Sequence, residues 1–370
     1  MRVLFLTTHF NMGGITRYIL TLARELSAAG HPVYVVSSGG DGLAELDSLG
    51  IGHFEVNIRT KFLLSSKILR AVPQLRRYVL EHEIDIIHAH TRVTQTLAAL
   101  LSRITGVPYV TTCHGFFKAK WLRRTFPFWG QRVIAISEQV QDHLKKDFRI
   151  PDEKIVLARN GIALDQFCPV SPQTKALKKK EHGFQDCLVI GIIARLSPVK
   201  GHRLLIHAME EICSRLPQAR LMIVGTGKEE HALSALVRQL QLTKAISFYP
   251  SVNQTMEFLQ VFDCFVLPSL QEGLGLSVME SQAAGVPVVA SRVGGIPSLI
   301  EDGVDGLLVE PNRPDLLAGA VIRILQDRVL AEELARRARE KAVQEYGADK
   351  MTQKVLDAYH SVTTGVHLMK

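Results

Sequence analysis

The sequence predicts an α/β protein with two doubly wound halves, each a parallel sheet covered by helices on both faces. Short, continuous runs of Val, Ile and Leu alternate with helical patterns, and this alternation stops once, near residue 169, before it restarts. Continuous apolar runs are typical of strands buried on both faces, and strand–helix alternation is typical of parallel sheets. A chain of 370 residues is also longer than one ordinary core, which favours two domains.

In the first half, strands are expected where apolar residues cluster over four or five positions. These clusters lie at 3–7, 33–37, 84–88, 109–112, 133–136 and 155–158. The spacing of apolar residues between them predicts helices near 15–29, 69–80, 94–104 and 138–148.

The segment 169–186 is predicted to be a linker, because it contains two prolines, three consecutive lysines and little apolar content. The alternation then restarts, with strands expected at 188–194, 221–224, 246–249, 264–267, 288–290 and 307–309. Helices are expected near 203–215, 230–240, 256–261, 277–284, 316–325 and 331–346, followed by a last helix near 351–361.

Composition sets limits on the class of protein. The apolar fraction of 46% is ordinary for a folded domain, and no apolar run approaches the length of a membrane-spanning helix. The start of the chain lacks a small-residue cleavage site, so we expect a first strand there and no signal peptide. The five cysteines are scattered without metal or redox spacing, which predicts reduced thiols in a cytoplasmic protein.

The positive charge is concentrated in one segment. Residues 59–149 contain sixteen Lys or Arg and six Asp or Glu, a local charge of +10 against +8 for the whole chain. The stretch 114–129 also mixes aromatic residues with cations, a combination that suits an anionic membrane surface. A solvated basic face, phosphorylated substrates and nucleic acid are the alternatives; for nucleic acid, the sequence offers charge but no recognised binding motif.

The most informative motif is Glu272-Gly-Leu-Gly-Leu-Ser-Val-Met-Glu280. Open parallel sheets bind ligands beyond the carboxyl ends of their strands, and this motif follows such a strand. A helix is expected to start at Ser277, where unpaired N–H groups suit a phosphate, and the flanking carboxylates can accept hydrogen bonds from hydroxyl groups. The alternative is a capping box from Ser277 to Glu280, which would leave Glu272, Gly273 and Gly275 unexplained.

A second basic motif strengthens the first. Arg195 and Lys200 lie on one loop after the first strand of the second half. Arginine can bind phosphate oxygens through two hydrogen bonds, and lysine adds a point charge. The alternative is a charged surface loop. Pro198 and Gly201 disfavour it, because they indicate a loop with a defined backbone conformation.

Several residues at other strand ends are weaker candidates. Gly13-Gly14 is either a tight turn or room for a ligand, and it lacks the full glycine fingerprint of nicotinamide or flavin sites. His114 is either a structural histidine or a hydrogen-bond and proton-transfer group. Asn160 and Gly225 follow strands as well, and each is either a turn residue or a ligand contact.

Taken together, these motifs resemble the group 1 glycosyltransferases, retaining enzymes of the GT-B fold that use nucleotide sugars. The resemblance covers nearly the whole chain. It implies two Rossmann-like domains that face each other across a cleft, at 1–168 and 187–350, with the linker at 169–186. It also implies that the C-terminal helix, about 351–370, returns to the first domain.

The resemblance assigns a role to each candidate residue. Arg195, Lys200, Gly14 and the N–H groups of Gly275, Leu276 and Ser277 would surround the donor diphosphate. Glu280 would accept from the ribose hydroxyls. Glu272 and His114 would contact the transferred sugar as the catalytic pair, and Gly13, Asn160 and Gly225 would be further cleft residues.

The same resemblance implies a hexosyltransferase that moves a hexose or N-acetylhexosamine to a glycan, lipid-linked or small-molecule acceptor. We expect a UDP-sugar in preference to a GDP-sugar, no cofactor, and no metal, since no Asp-x-Asp pair is present. Synthesis of bacterial cell-surface polysaccharide or lipopolysaccharide would place the protein in the cytoplasm or on the inner face of the membrane. The alternatives are an inactive GT-B-like scaffold and a basic nucleic-acid-binding protein; the sequence leaves the oligomeric state open.

Overall fold

The computed structural model describes residues 1–60, 62, 65–117, 128–252 and 254–363. The chain divides into two compact units, the first formed by residues 1–161 together with the segment from Ala348 onward, the second by residues 162–347. Most of the aromatic and basic stretch 114–129 lies outside the described residues.

The described part of the first unit contains one parallel sheet in the order β3-β2-β1-β4-β5-β6-β7. Its strands are β1 Val3–Leu6, β2 Val33–Ser37, β3 Gly52–Glu55, β4 Ile86–Ala89, β5 Tyr109–Cys113, β6 Arg132–Ala135 and β7 Ile155–Leu157. Its helices are α1 Gly14–Ala28, α2 Leu43–Ser48, α3 Ser66–Glu81, α4 Arg92–Thr105, α5 Glu138–Phe148 and, from the end of the chain, α14 Ala348–Thr363. Helix α14 packs against α1 and β6.

In the second unit, the described strands form a parallel sheet in the order β10-β9-β8-β11-β12-β13. They are β8 Leu188–Ile193, β9 Ala219–Val224, β10 Ile246–Tyr249, β11 Cys264–Leu267, β12 Val288–Ser291 and β13 Leu307–Val309. The helices are α6 Pro172–Glu181, α7 His202–Arg215, α8 Glu230–Gln239, α9 Met256–Leu259, α10 Leu276–Ala283, α11 Ile296–Leu299, α12 Pro314–Gln326 and α13 Arg328–Glu345.

Burial explains why the apolar runs form the central strands. All four side chains of β1 and of β11 are buried, and burying one such side chain stabilises the fold by about 1.5–3 kcal/mol. In both sheets the strand order reverses between two adjacent strands, which are β1 and β4 in the first unit and β8 and β11 in the second. The predicted α/β class, with two doubly wound parallel sheets, is confirmed.

Some local features differ from the predictions. The segment predicted as a linker contains helix α6, because Ser171 accepts a hydrogen bond from the Thr174 N–H and Pro172 occupies the first helical turn. The edge strand β3 was not predicted, since its four residues are exposed or half-buried and form no apolar run.

No helix among the described residues combines the length and apolar character required to cross a bilayer.

Candidate functional site

The strand reversal in the second unit brings two of the predicted motifs together. Strand β8 pairs directly with β11, and both are parallel, so the loops that follow them leave the same edge of the sheet. Arg195 and Lys200 lie on the loop after β8, and Glu272 lies on the loop after β11. Such a reversal point opens a crevice beyond the carboxyl ends of the strands, where ligands bind in open α/β sheets.

The two loops are bonded to each other through their backbones. The N–H of Leu270 donates to the carbonyl of Val199 at 2.7 Å. Gly201 has a φ of 72°, and a Cβ at this position would lie only 1.8 Å from the Pro268 carbonyl oxygen. Glycine is therefore required at 201 both by its backbone conformation and by the close approach of the neighbouring loop.

Lys200 and Glu272 form an ion pair between these loops. The Lys200 side chain is 21% exposed and that of Glu272 is 12% exposed. Ser269 Oγ also donates to Glu272 Oε2 at 3.3 Å, and the N–H of Gly295, on the loop after β12, donates to the Glu272 carbonyl at 3.2 Å. The carboxylate and the ammonium are thus held side by side at the carboxyl edge of the sheet.

Arg195 adds a second cation at the same edge. It follows β8 directly and its side chain is exposed. Among the residues that the structure describes, none forms an ion pair with its guanidinium. This group is therefore available to bind an anionic ligand at the same edge of the sheet.

The amino end of α10 supplies backbone donors at this edge. The helix begins at Leu276, and Gly275 precedes it with a φ of 106° and no side-chain cap. The N–H groups of Leu276 and Ser277 belong to the first turn, where the helix itself offers no acceptor. The predicted start at Ser277 is therefore wrong by one residue, and Ser277 does not act as the cap of a capping box.

Glu280 is buried one turn into α10. Its side chain is 4% exposed, and its Oε2 accepts a hydrogen bond from Thr255 Oγ1 at 2.9 Å. Thr255 thereby fixes the orientation of the carboxylate from outside the helix. Because this hydrogen bond comes from outside α10, it argues against the capping-box alternative. It favours a carboxylate that is positioned to accept hydrogen bonds from a ligand.

Gly225 is explained by packing between loops. A Cβ at this residue would lie 2.1 Å from the Ala194 carbonyl oxygen, at the point where β9 and β8 end side by side. The turn alternative for Gly225 is sufficient.

In the first unit, the reversal point lies between β1 and β4. Gly13 and Gly14 are exposed at the amino end of α1, on the loop after β1. A Cβ at Gly13 would meet only the Asn11 carbonyl, at 4.0 Å, so intramolecular packing does not require a glycine there. The loops after β1 and β4 are joined by a hydrogen bond between the hydroxyls of Thr8 and Thr91 at 2.6 Å.

His114 follows β5 and is partly buried. Its Nε2 lies 3.2 Å from Nδ1 of His90, which follows β4, and its ring packs edge-on against Tyr18 at a centroid distance of 4.9 Å. Burial lowers the pKa of His114 to about 3. The ring is therefore neutral at physiological pH and can donate one hydrogen bond.

Asn160 lies apart from this cluster. It follows β7, the edge strand of the sheet, and is 5% exposed. Because β7 is two strands away from β5, the ends of these strands are separated by about 10 Å.

Three polar residues with direct contacts to the candidates were not predicted: His90, Thr255 and Ser269. A signal existed for His90, since it ends an apolar run in the same way as His114. Ser269 lies three residues before Glu272 on the same loop, whereas no local pattern marks Thr255, because it reaches Glu280 from another segment of the chain.

The described residues contain no group of three or more His, Cys, Asp or Glu side chains arranged to hold a metal ion.

Two family comparisons together cover most of the chain. Residues 174–342 match the family described as glycosyl transferases group 1, and residues 12–166 match the family described as glycosyltransferase family 4. The first match contains Arg195, Lys200, Glu272 and Glu280, and the second contains Gly13, Gly14 and His114.

Similar proteins agree with these matches over 79% or more of their lengths. An uncharacterized glycosyltransferase of Methanocaldococcus jannaschii is 28% identical over 369 residues, 94% of each chain. The UDP-Gal:alpha-D-GlcNAc-diphosphoundecaprenol alpha-1,3-galactosyltransferase of Escherichia coli is 28% identical over 309 residues, 79% of each chain. The structure of Anabaena HepE in complex with UDP and glucose superimposes with a TM-score of 0.87, at 23% identity, covering 98% of this chain and 100% of that one. The chain thus has the GT-B fold and belongs to the group 1 glycosyltransferases.

Proposed function

We propose that this protein is a retaining hexosyltransferase that moves a hexose or N-acetylhexosamine from a nucleotide-diphosphate sugar to an acceptor hydroxyl. One observation carries the proposal. Lys200, Glu272 and the amino end of α10 are assembled at the reversal point of one parallel sheet. Cations, helix N–H groups and a carboxylate are the groups needed to bind a diphosphate and a sugar next to each other.

The diphosphate is assigned to the cations and to the first turn of α10. Arg195 and Lys200 neutralise its charge, and the N–H groups of Gly275, Leu276 and Ser277 donate to its distal phosphate. Gly14, which carries no Cβ and is exposed, leaves room for the phosphate and the acceptor. When the bond to the sugar breaks, negative charge grows on the leaving phosphate, and fixed cations stabilise that charge.

Three polar side chains are assigned to the sugars. The positioned carboxylate of Glu280 accepts from the ribose hydroxyls. Glu272 accepts from a hydroxyl of the transferred sugar, and neutral His114 donates to that sugar. Glu272 acts through binding and electrostatics, because a carboxylate paired with an ammonium is less nucleophilic than a free one.

We attribute retention of the anomeric configuration to attack by the acceptor on the same face of the sugar that the phosphate leaves. The bond between the anomeric carbon and the phosphate oxygen breaks, the acceptor oxygen bonds to that carbon, and the acceptor proton passes to the departing phosphate. A covalent glycosyl-enzyme would require a carboxylate nucleophile close to the anomeric carbon. Trapping such an intermediate with a fluorinated donor would reject same-face attack.

We further propose that the reaction needs no divalent metal. Arg195, Lys200 and the positive end of α10 supply the charge that a metal would otherwise provide at the diphosphate. Transfer rates in excess EDTA should equal those in added Mg²⁺, and loss of transfer in EDTA would reject this part of the proposal.

UDP is the favoured nucleotide, and a glycan or lipid-linked molecule is the favoured acceptor. The names of the similar Escherichia coli and Anabaena proteins support this choice, because they specify a UDP-sugar, UDP and a diphosphoundecaprenol acceptor. We assign the protein to cell-surface polysaccharide or lipopolysaccharide synthesis, in the cytoplasm or on the inner membrane face. The local charge of +10 over residues 59–149 supports contact with an anionic membrane surface.

A donor-hydrolysis screen across UDP-, GDP- and ADP-sugars tests the function in one step. We expect release of one nucleoside diphosphate, with lower release from the Glu272→Ala variant. An inactive scaffold would bind nucleotides without turnover of any sugar. A nucleic-acid-binding protein would instead retain DNA or RNA with an affinity that falls steeply as salt increases.

A further inference from the structure

Three histidines lie together at the carboxyl ends of β4 and β5. His88 and His90 are two residues apart and therefore share one face of β4. Their ring centroids are 4.1 Å apart, and His90 Nδ1 contacts Nε2 of His114 at 3.2 Å. His90 is 2% exposed, so its ring is held in one position by packing against its neighbours.

The two nitrogens of His90 have different surroundings. Nδ1 faces His114, whereas Nε2 is buried and has no hydrogen-bond partner among the described residues. His88, the nearest ring, uses both of its nitrogens elsewhere, on Tyr359 and on Thr112, at 2.7 Å each. The hydrogen bond to His114 is therefore the polar contact that determines which ring nitrogen of His90 carries the proton.

The unpartnered nitrogen decides the direction of this hydrogen bond. If His114 donated, His90 would carry its proton on Nε2, and an N–H group would be buried without an acceptor, which is rare in proteins. If His90 donates from Nδ1, its Nε2 carries only a lone pair. The second arrangement makes His114 Nε2 an acceptor, and the proton of neutral His114 must then be on Nδ1.

We infer that His90 is a positioning residue that fixes His114 as the tautomer protonated on Nδ1. The inference rests on the proposed role of His114 at the transferred sugar. His90 itself touches no substrate. It orients the His114 ring and keeps its Nε2 occupied, so that the Nδ1–H is the group that donates to a sugar hydroxyl.

The same contact opposes protonation of His114. A second proton on Nε2 would face the N–H of His90 and break the hydrogen bond. Burial acts in the same direction, since it lowers the pKa of His114 to about 3 and that of His90 well below its usual value. Among the described residues, His88 and Tyr18 are ionisable groups packed against the pair, and Tyr359 packs against His88 behind it. His114 is thus a neutral donor and not a general acid.

Two amide substitutions and one apolar substitution test the inference. The amide of asparagine reaches the place of the histidine Nδ1, the amide of glutamine reaches that of Nε2, and phenylalanine keeps the ring without either nitrogen. We expect His90→Phe to lower kcat by about 10- to 100-fold through misplacement of His114, with little change in donor KM. His90→Asn should recover most of that loss, and His90→Gln should not.

Two other outcomes would contradict the inference. Wild-type kcat in folded His90→Phe would show that the hydrogen bond is dispensable. Equal losses in the Asn, Gln and Phe variants would show that His90 acts through packing alone.

The role of His114 is measured separately with His114→Ala. Wild-type transfer in His114→Ala would overturn the assigned role of His114 and the inference with it. If His114→Ala loses transfer while the Phe, Asn and Gln variants of His90 all keep the wild-type kcat, only the inference would be overturned, and the role of His114 would stand.

A spectroscopic measurement keeps the test decisive if a buried variant fails to fold. Histidine-selective ¹⁵N labelling of the wild-type protein reports which ring nitrogen carries the proton, and His114→Ala identifies the signals. We expect His114 to be protonated on Nδ1 and unprotonated on Nε2 at neutral pH. The opposite tautomer would reject the inference without any activity measurement.

Discussion

Replacement of Lys200 by alanine tests the centre of the proposed diphosphate site, because it removes one member of the ion pair with Glu272. The stability cost follows from the burial of the pair, whose side chains are 21% and 12% exposed. Exposed pairs contribute about 0.2–1 kcal/mol, and breaking a fully buried pair costs about 3–5 kcal/mol. We therefore expect a loss of about 1–3 kcal/mol in the free energy of unfolding, and a Tm lower by about 2–10 °C.

The effect of Lys200→Ala on ligand binding has a separate magnitude. A hydrogen bond to a charged group contributes about 1.5–3 kcal/mol, so the Kd for UDP should rise by about 10- to 150-fold. Isothermal titration calorimetry with UDP measures this change, and GDP serves as the comparison nucleotide. Lys244→Ala is the matched control, since Lys244 is an exposed lysine of the same unit that precedes β10 at the opposite edge of the sheet.

The double variant Lys200→Ala/Glu272→Gln separates the two effects. Neutralising Glu272 removes the unpaired carboxylate, so stability should recover while UDP affinity stays low. Unchanged UDP affinity in Lys200→Ala would refute the assignment of this lysine to the diphosphate. An equal loss of affinity in the Lys244→Ala control would show that overall charge, and not the site, determines binding.

Glu272→Ala should leave UDP affinity within about threefold and reduce transfer by at least about 100-fold, since the lost contact is to the reacting sugar; transfer at the wild-type rate would contradict its role. Glu280→Gln should weaken UDP by about 10-fold and leave a 2′,3′-dideoxy analogue unaffected, whereas equal losses would remove the ribose assignment. Gly201→Ala should cost at least about 2 kcal/mol more in urea unfolding than Gly183→Ala, because both have positive φ but only a Cβ at 201 meets a neighbouring carbonyl; equal costs would contradict this reading. His114 has a folded pKa of about 3, below the value of 6.5 for a free ring, so its contribution to stability is complete above pH 6.5 and is lost as pH falls towards 3. At pH 5 the part of the loss that is due to His114 should be about 1–2 kcal/mol, so His114→Asn should lose that much less stability than the wild type between pH 7 and pH 5 in unfolding experiments.

Sequence patterns were sufficient for the elements that bury apolar runs. The central strands β1, β8 and β11 consist of consecutive apolar residues, and burial on both faces of a parallel sheet is the physical reason for that pattern. Elements stabilised in other ways were missed. Strand β3 is an exposed edge strand, and α6 begins through a side-chain cap and an N-terminal proline in a segment with few apolar residues.

The candidate site shows the same contrast between what local sequence indicates and what the folded chain determines. The sequence by itself determined that Arg195, Lys200, Glu272 and the glycines around them follow strands, because a motif and the strand before it are neighbours in the chain. Only the tertiary structure decided which motifs meet, since β8 lies beside β11 in the sheet although β9 and β10 separate them in the chain, and since the pairing of β4 with β5 brings His90 to His114. The Lys200–Glu272 pair depends on the strand order of the second sheet, the His90–His114 contact depends on the pairing of β4 with β5, and no local pattern could specify either.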